Sequence, residues 1–237
     1  MEAADTRATI VLCGRVPALA GQRGEWPRLG QSAVPVTWIA AWDTLAALAA
    51  AGRGTGVSVA LDLPAGGLAS RQRVRTLLAR GREAVPQLDI VAVHGELDRG
   101  HRDLLVDEGV RAVIVERLAA DGRGSRRPAP RGWRCRNSAW GLWEMEATEP
   151  VARGWRGWLG QGRPRVRPGS LHMITTEGLM VGAGGRLFPH SRLDRWLAWA
   201  GRQVERQAAE AETVGGLVTK LAGEDRQSLV GSVLRAA

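Results

Sequence analysis

The chain predicts an α/β fold: one domain over residues 1–237, a largely parallel barrel whose closure is incomplete or distorted. Short β-branched runs alternate with Ala/Leu-rich or amphipathic stretches, as in successive βα units. Ser, Asp and Gly fall where those stretches begin and end. The 237 residues, 44% of them apolar, can fill a sizeable core.

The strands predicted from the β-branched runs are Ala8 to Leu12, Val36 to Ala40, Val57 to Leu61, Ile90 to Val93 and Ala112 to Val115. Each gap between them can hold a helix. Asp43 is suited to cap Thr44 to Ala51, which Gly52 ends; Ser70 caps Arg71 to Arg80, closed by Gly81; Arg99 to Glu108 is closed by Gly109. Asp121 to Pro130, rich in Gly, Arg and Pro, reads as a loop. Beyond it, Gly141 to Ala147 and Ser170 to Thr175 are further strands, separated by an irregular passage carrying Pro150, Pro164 and Pro168. Ser191 to Glu210 is a strong amphipathic helix, with Leu193, Trp196, Leu197 and Ala200 on its apolar face. A short helix is expected after Thr213.

The start of the chain has neither the basic segment nor the apolar run of a signal peptide, and the longest uncharged stretch, Leu29 to Trp42, is too short for a membrane-spanning helix. A cytoplasmic protein with no membrane partner is expected. Cys13 and Cys135 stand far apart and outside any Cys-x-x-Cys pattern, which predicts buried thiols rather than a zinc site or disulfide framework.

The formal charge is +9, yet Lys220 is the one lysine and tyrosine is absent, a skew that fits biased codon usage better than selection for phosphate contacts. Position says more than the total. Between Gly122 and Arg167 eleven arginines face only Glu144, Glu146 and Glu149, and Trp133, Trp140, Trp143, Trp155 and Trp158 are interleaved with them. Residues 121–169 therefore form an Arg/Trp-rich insertion, with Trp140, Trp143, Arg134, Arg153 and Arg156 as candidate ligand-binding residues. Indoles beside guanidinium groups can stack on bases or sugar rings and pair with anions. The alternative reading makes the indoles core and the arginines a solvated rim.

In a parallel barrel, reactive groups project from the C-terminal ends of the strands, because the loops leaving those ends converge on one mouth. Those positions are Cys13, Asp62, His94, Glu116, Glu144 and His172. Asp62, His94 and His172 can bind a metal or move protons, and they form the candidate catalytic set; polar residues also begin loops simply because loops are wet. His94 and His101 are not at the one-turn spacing of two helical metal ligands. The Gly182 to Gly185 cluster lacks the glycine spacing of a phosphate-binding loop, and no serine sits in a nucleophile elbow. No cofactor is expected.

PVTWIA at Pro35 to Ala40 with its following helix, GVSVAL at Gly56 to Leu61, GVRAVIVE at Gly109 to Glu116 and GSLHMI at Gly169 to Ile174 together resemble the NodB-type polysaccharide deacetylases, carbohydrate esterase family four, over most of residues 8 to 210. That resemblance implies a barrel in which metal-activated water removes an N-acetyl group, with His172 in place of the closing strand's catalytic histidine. The departures bear on activity. Where active members carry adjacent aspartates after the first strand, this chain has Cys13, Gly14 and Arg15; where a histidine pair should follow the third strand, it has Asp62, Leu63 and Pro64. Leu171 directly abuts His172, and Arg127–Pro128 lacks the aromatic neighbour of the substrate-groove motif. No metal site is expected.

The resemblance without its ligands predicts a non-catalytic deacetylase-like domain that binds a carbohydrate or a protein partner. Two rivals follow from the residues: a metal-dependent hydrolase with a site rebuilt from Asp62, His94 and His172, and a nucleic-acid or polyanion binder using the Arg/Trp segment. Convergence of Asp62, His94 and His172 within about 5 Å would favour the rebuilt site, since ligands must reach one ion at roughly 2 Å each.

Overall fold

The computed structural model describes residues 7–17, 33–52, 57–64, 70–95, 97–116, 135–139, 141–147, 164–181 and 187–223. In chain order the elements are β1 (Ala8–Arg15), β2 (Val36–Ala40), α1 (Trp42–Ala51), β3 (Ser58–Leu63), α2 (Arg71–Ala84), β4 (Ile90–His94), α3 (Arg99–Asp107), β5 (Ala112–Glu116), β6 (Cys135–Ala139), β7 (Leu142–Ala147), β8 (Leu171–Glu177), β9 (Leu179–Val181), β10 (Leu187–Pro189), α4 (Ser191–Glu205) and β11 (Ala209–Glu212). A last helix, α5, covers 214–223.

The main sheet runs parallel from β8 through β1, β2, β3, β4 and β5 to β7, with β6 antiparallel on β7. β11 adds in parallel to the first half of β1, where Ala8 faces Ala209. β7 and β8 bring Cα atoms within 8 Å of each other but are not a hydrogen-bonded pair, so the sheet is nearly closed into a barrel. This is the α/β, mostly parallel, incompletely closed architecture that the sequence predicts.

Strict alternation sorts the strand residues into two faces. Val11, Ile39, Ala60, Ala92, Ile114 and Met173 share the interior cluster, whereas Leu61, Leu63, Val91, Val93 and Val113 face α1, α2 and α3 on the outside. The lower end of the interior is plugged by α5, whose Val214, Leu217 and Val218 join the same cluster. Two hydroxyls fix the start of that helix: Thr37, fully buried on β2, accepts from the Val214 N–H at 2.9 Å, and Thr213 accepts from the Gly216 N–H at 3.0 Å.

Several boundaries differ from the sequence reading, each for a physical reason. α1 starts at Trp42 with Ala41 as N-cap, and Asp43 lies within its first turn. α2 is capped by Ser70 as expected but continues through Gly81, because that glycine is a packing position: a Cβ there would stand 2.6 Å from Leu88. α3 carries a cap the sequence reading overlooked, Asp98, whose carboxylate accepts from the His101 N–H at 2.7 Å. α4 ends at Glu205, five residues early; Gln207 turns left-handed at φ 55° and the helix-forming Ala209 to Glu212 pairs with β1 instead. On α4 the buried positions are Leu193, Trp199 and Ala200, while Trp196 and Leu197 are half-buried, Trp196 packing edge-on to Trp199.

Close approach also explains two glycines. Trp38, on the outer face of β2, lies across Gly14 and Gly178, and a Cβ on Gly178 would meet its ring at 2.6 Å. The β8–β9 corner can thus sit directly on β1, with the Gly178 N–H donating to the Arg15 carbonyl at 2.8 Å.

Candidate binding site at the barrel mouth

β1 and β3 run three and two residues further than their apolar stretches suggested, β4 and β5 one residue further, and the extra residues build the site. On β1 the inward positions Val11 and Cys13 are followed by Arg15; on β3 Ala60 is followed by Asp62; on β4 and β5 the alternation leads to His94 and Glu116. Four strands thereby place Arg15, Asp62, His94 and Glu116 on the top layer of the interior.

The Arg15 guanidinium bridges two carboxylates. One terminal nitrogen pairs with Asp62 Oδ2, and the other donates to Glu116 Oε2 at 2.5 Å. His94 lies against the same carboxylates, with Nε2 3.5 Å from Asp62 Oδ1 and Nδ1 3.3 Å from Glu116 Oε2, the oxygen that Arg15 also contacts. All four side chains are between 16% and 22% exposed, so the cluster is sheltered without being sealed. Asp62 Oδ1 and Glu116 Oε1 are buried atoms that make no hydrogen bond among the described residues. Each carboxylate thus commits one oxygen to Arg15, while its other oxygen makes no hydrogen bond among the described residues, Asp62 Oδ1 having only the looser contact with His94.

Directly below lies Cys13. Burial, reinforced by the Glu116 charge, pushes its thiol far above the ordinary range, and the Thr175 hydroxyl faces it. Cys135 is likewise buried and pushed up to about 11. Neither thiol ionises near neutrality, so neither is poised as a nucleophile.

Asp62 and His94 therefore come together, but His172 does not join them. It alternates with inward-facing Met173, lies on the outer face of β8 edge-on to Trp199, and shares a 2.9 Å hydrogen bond with the Ser170 hydroxyl. Glu144 also faces outward, from β7 to Arg102 of α3 and Arg136 of β6. Trp143 is 8% exposed and packs inside the barrel. Trp140, Arg134, Arg153 and Arg156, with Trp133, Trp155, Trp158 and the Gly182 to Gly185 cluster, lie outside the described residues. Arg15 is the residue missing from the sequence-derived set. Its signal was present in the alternation Val11, Cys13, Arg15, which puts a charge on an otherwise apolar inward face.

The ion of a metal-dependent deacetylase does not fit this arrangement. The Arg15 guanidinium fills the space between Asp62 and Glu116, and among the described residues no group of three or more His, Cys, Asp or Glu side chains is disposed to hold a metal. No helix among the described residues is long and apolar enough to cross a membrane. No family model, no curated protein and no solved structure matches the chain.

Proposed function

We propose that this protein is a deacetylase-like barrel that binds a carbohydrate or another hydroxyl-rich ligand at its mouth and does not carry out metal-dependent hydrolysis. The observation that carries the reading is the Arg15 guanidinium held between Asp62 and Glu116. It offsets one of the two carboxylate charges, so the cluster of described residues carries no net positive charge to draw in a polyanion. It also leaves donors and acceptors side by side, the array that vicinal hydroxyls satisfy because each can give and accept a hydrogen bond.

The test is calorimetric titration with oligomers of glucose and of N-acetylglucosamine, in chelator, at low and high salt. Affinity that changes less than about twofold between 50 and 200 mM salt is expected, since no counterions are released. Its loss in Asp62→Asn is expected as well. Binding restricted to polyanions and falling steeply with salt would move the function to the Arg/Trp segment. Turnover of N-acetylated oligomers that stops in chelator would replace the binding reading with the hydrolase.

A further inference from the structure

Resting on the carbohydrate reading above and narrowing it, we propose that the mouth takes its ligand by a protonated amine, so that the preferred sugar is an amino sugar rather than its N-acetylated form. A third carboxylate stands on the rim. Across the parallel β1–β8 ladder Cys13 pairs with Thr175 and Arg15 with Glu177, and paired residues in such a ladder share a face. β8 thus adds Glu177 to the mouth, level with Arg15, and Thr175 one layer below.

Three carboxylates now accompany one guanidinium, so among the described residues the mouth has a formal negative excess in a chain whose total is +9. Glu177 is 64% exposed and open to a ligand. Its neighbour His190 does not cancel the charge. The His190 Nδ1 accepts from the Arg192 N–H at 3.1 Å to cap α4, which leaves the ring proton on Nε2, 3.4 Å from Glu177 Oε2.

Beneath these acids lies a buried hydroxyl without a hydrogen-bond partner. Thr175 is 7% exposed, and its Oγ1 faces the Cys13 thiol, a weak partner, and makes no hydrogen bond among the described residues. With Asp62 Oδ1 and Glu116 Oε1, the upper barrel holds three buried oxygens short of donors, and Glu116 and Thr175 both act on the same thiol. A phosphate or a carboxylate would bring more acceptors and more negative charge. A hydroxyl brings one donor, and an N-acetyl group brings one N–H and no charge. An ammonium brings three donors and the positive charge that the acids lack.

The test is calorimetric titration of the full chain at pH 6.5 and 50 mM salt, in chelator, with the trimers of glucosamine, N-acetylglucosamine and glucose and with spermidine. The glucosamine trimer should bind at least about tenfold more tightly than the two neutral trimers, with an advantage that shrinks at 200 mM salt. Glu177→Gln should weaken it about fivefold or more. Thr175→Val should weaken it about threefold or more while melting no lower than wild type, since the hydroxyl it removes is unpaired. A residue that merely packs would give the opposite pair of results.

Neutral trimers binding within about twofold of the glucosamine trimer would keep the carbohydrate reading and overturn the amine site. Spermidine binding as tightly as the glucosamine trimer would keep the amine site and overturn the carbohydrate. No binding by any of the four overturns both. The amine site is also overturned if Glu177→Gln and Thr175→Val bind the glucosamine trimer as wild type does.

Discussion

Two clusters of arginine and carboxylate face opposite sides of the same sheet, and their stoichiometries are reversed. On the outer face, Glu144 of β7 is 6% exposed and is served by two guanidiniums, Arg102 from α3 and Arg136 from β6, so both its oxygens are engaged. At the mouth, one guanidinium serves Asp62 and Glu116, and each carboxylate keeps an oxygen that makes no hydrogen bond among the described residues. A saturated cluster has nothing left to offer a ligand and ties α3 to the β6–β7 hairpin. An unsaturated cluster gains from a ligand that supplies the missing donors.

The interior packing sets the scale against which both clusters can be measured. Trp143→Ala should cost about 3 to 5 kcal/mol by chemical denaturation, because the indole fills the barrel and its removal leaves a cavity. Glu144→Ala should come next, at about 2 kcal/mol, since it removes a nearly buried carboxylate that holds the partly sheltered Arg102, whereas the exposed Arg136 returns to solvent. A cost below about 0.5 kcal/mol would show the outer cluster to be ornamental and break the contrast.

The same cluster predicts a pH dependence. Burial raises the Glu144 pKa, but hydrogen bonds from Arg102 and Arg136 outweigh it, and the folded-state value lies below normal. A depressed carboxylate contributes its stability above the unfolded value of about 4.3, and that stability is lost as pH falls through the folded value. Wild type should therefore lose stability more steeply than Glu144→Gln below about pH 4. Parallel pH curves for the two proteins would contradict the assignment.

Substitutions at the mouth should cost less and matter more for binding. Glu116→Gln should lower stability by only about 1 kcal/mol, or 2 to 4 °C, because its partner keeps Asp62 and the site is not sealed. The smallest effect belongs to His94→Gln, under about 1 kcal/mol. Oligosaccharide affinity should fall at least tenfold in Glu116→Gln and less in His94→Gln. Loss of stability on the Glu144 scale, with binding intact, would make the mouth a second structural clamp.

Much of this fold was legible in the chain because parallel strands buried on both faces read as apolar runs. Val36 to Ala40 was located to the residue. The errors fall where tertiary contacts override local signals, as at Gly81, which packs rather than stops a helix, and at Ala209 to Glu212, a helix-forming sequence held as a strand by β1. Asp62, His94 and Glu116 could be picked out as polar residues at strand ends, but their partner Arg15 could not. A charged residue after an apolar run reads as the start of a loop, and only the register of β1 against β2 and β8 shows that the ladder continues through it. For His172 the difficulty was parity, since one residue's shift decides which face a strand residue takes.

The most direct measurement is the metal content and melting temperature of the purified wild-type protein, before and after exhaustive chelation. Arg15 held between Asp62 and Glu116 predicts no stoichiometric transition metal and the same melting temperature in both samples. One metal ion per chain, removed by chelator with a fall in melting temperature and missing from Asp62→Asn, would contradict it.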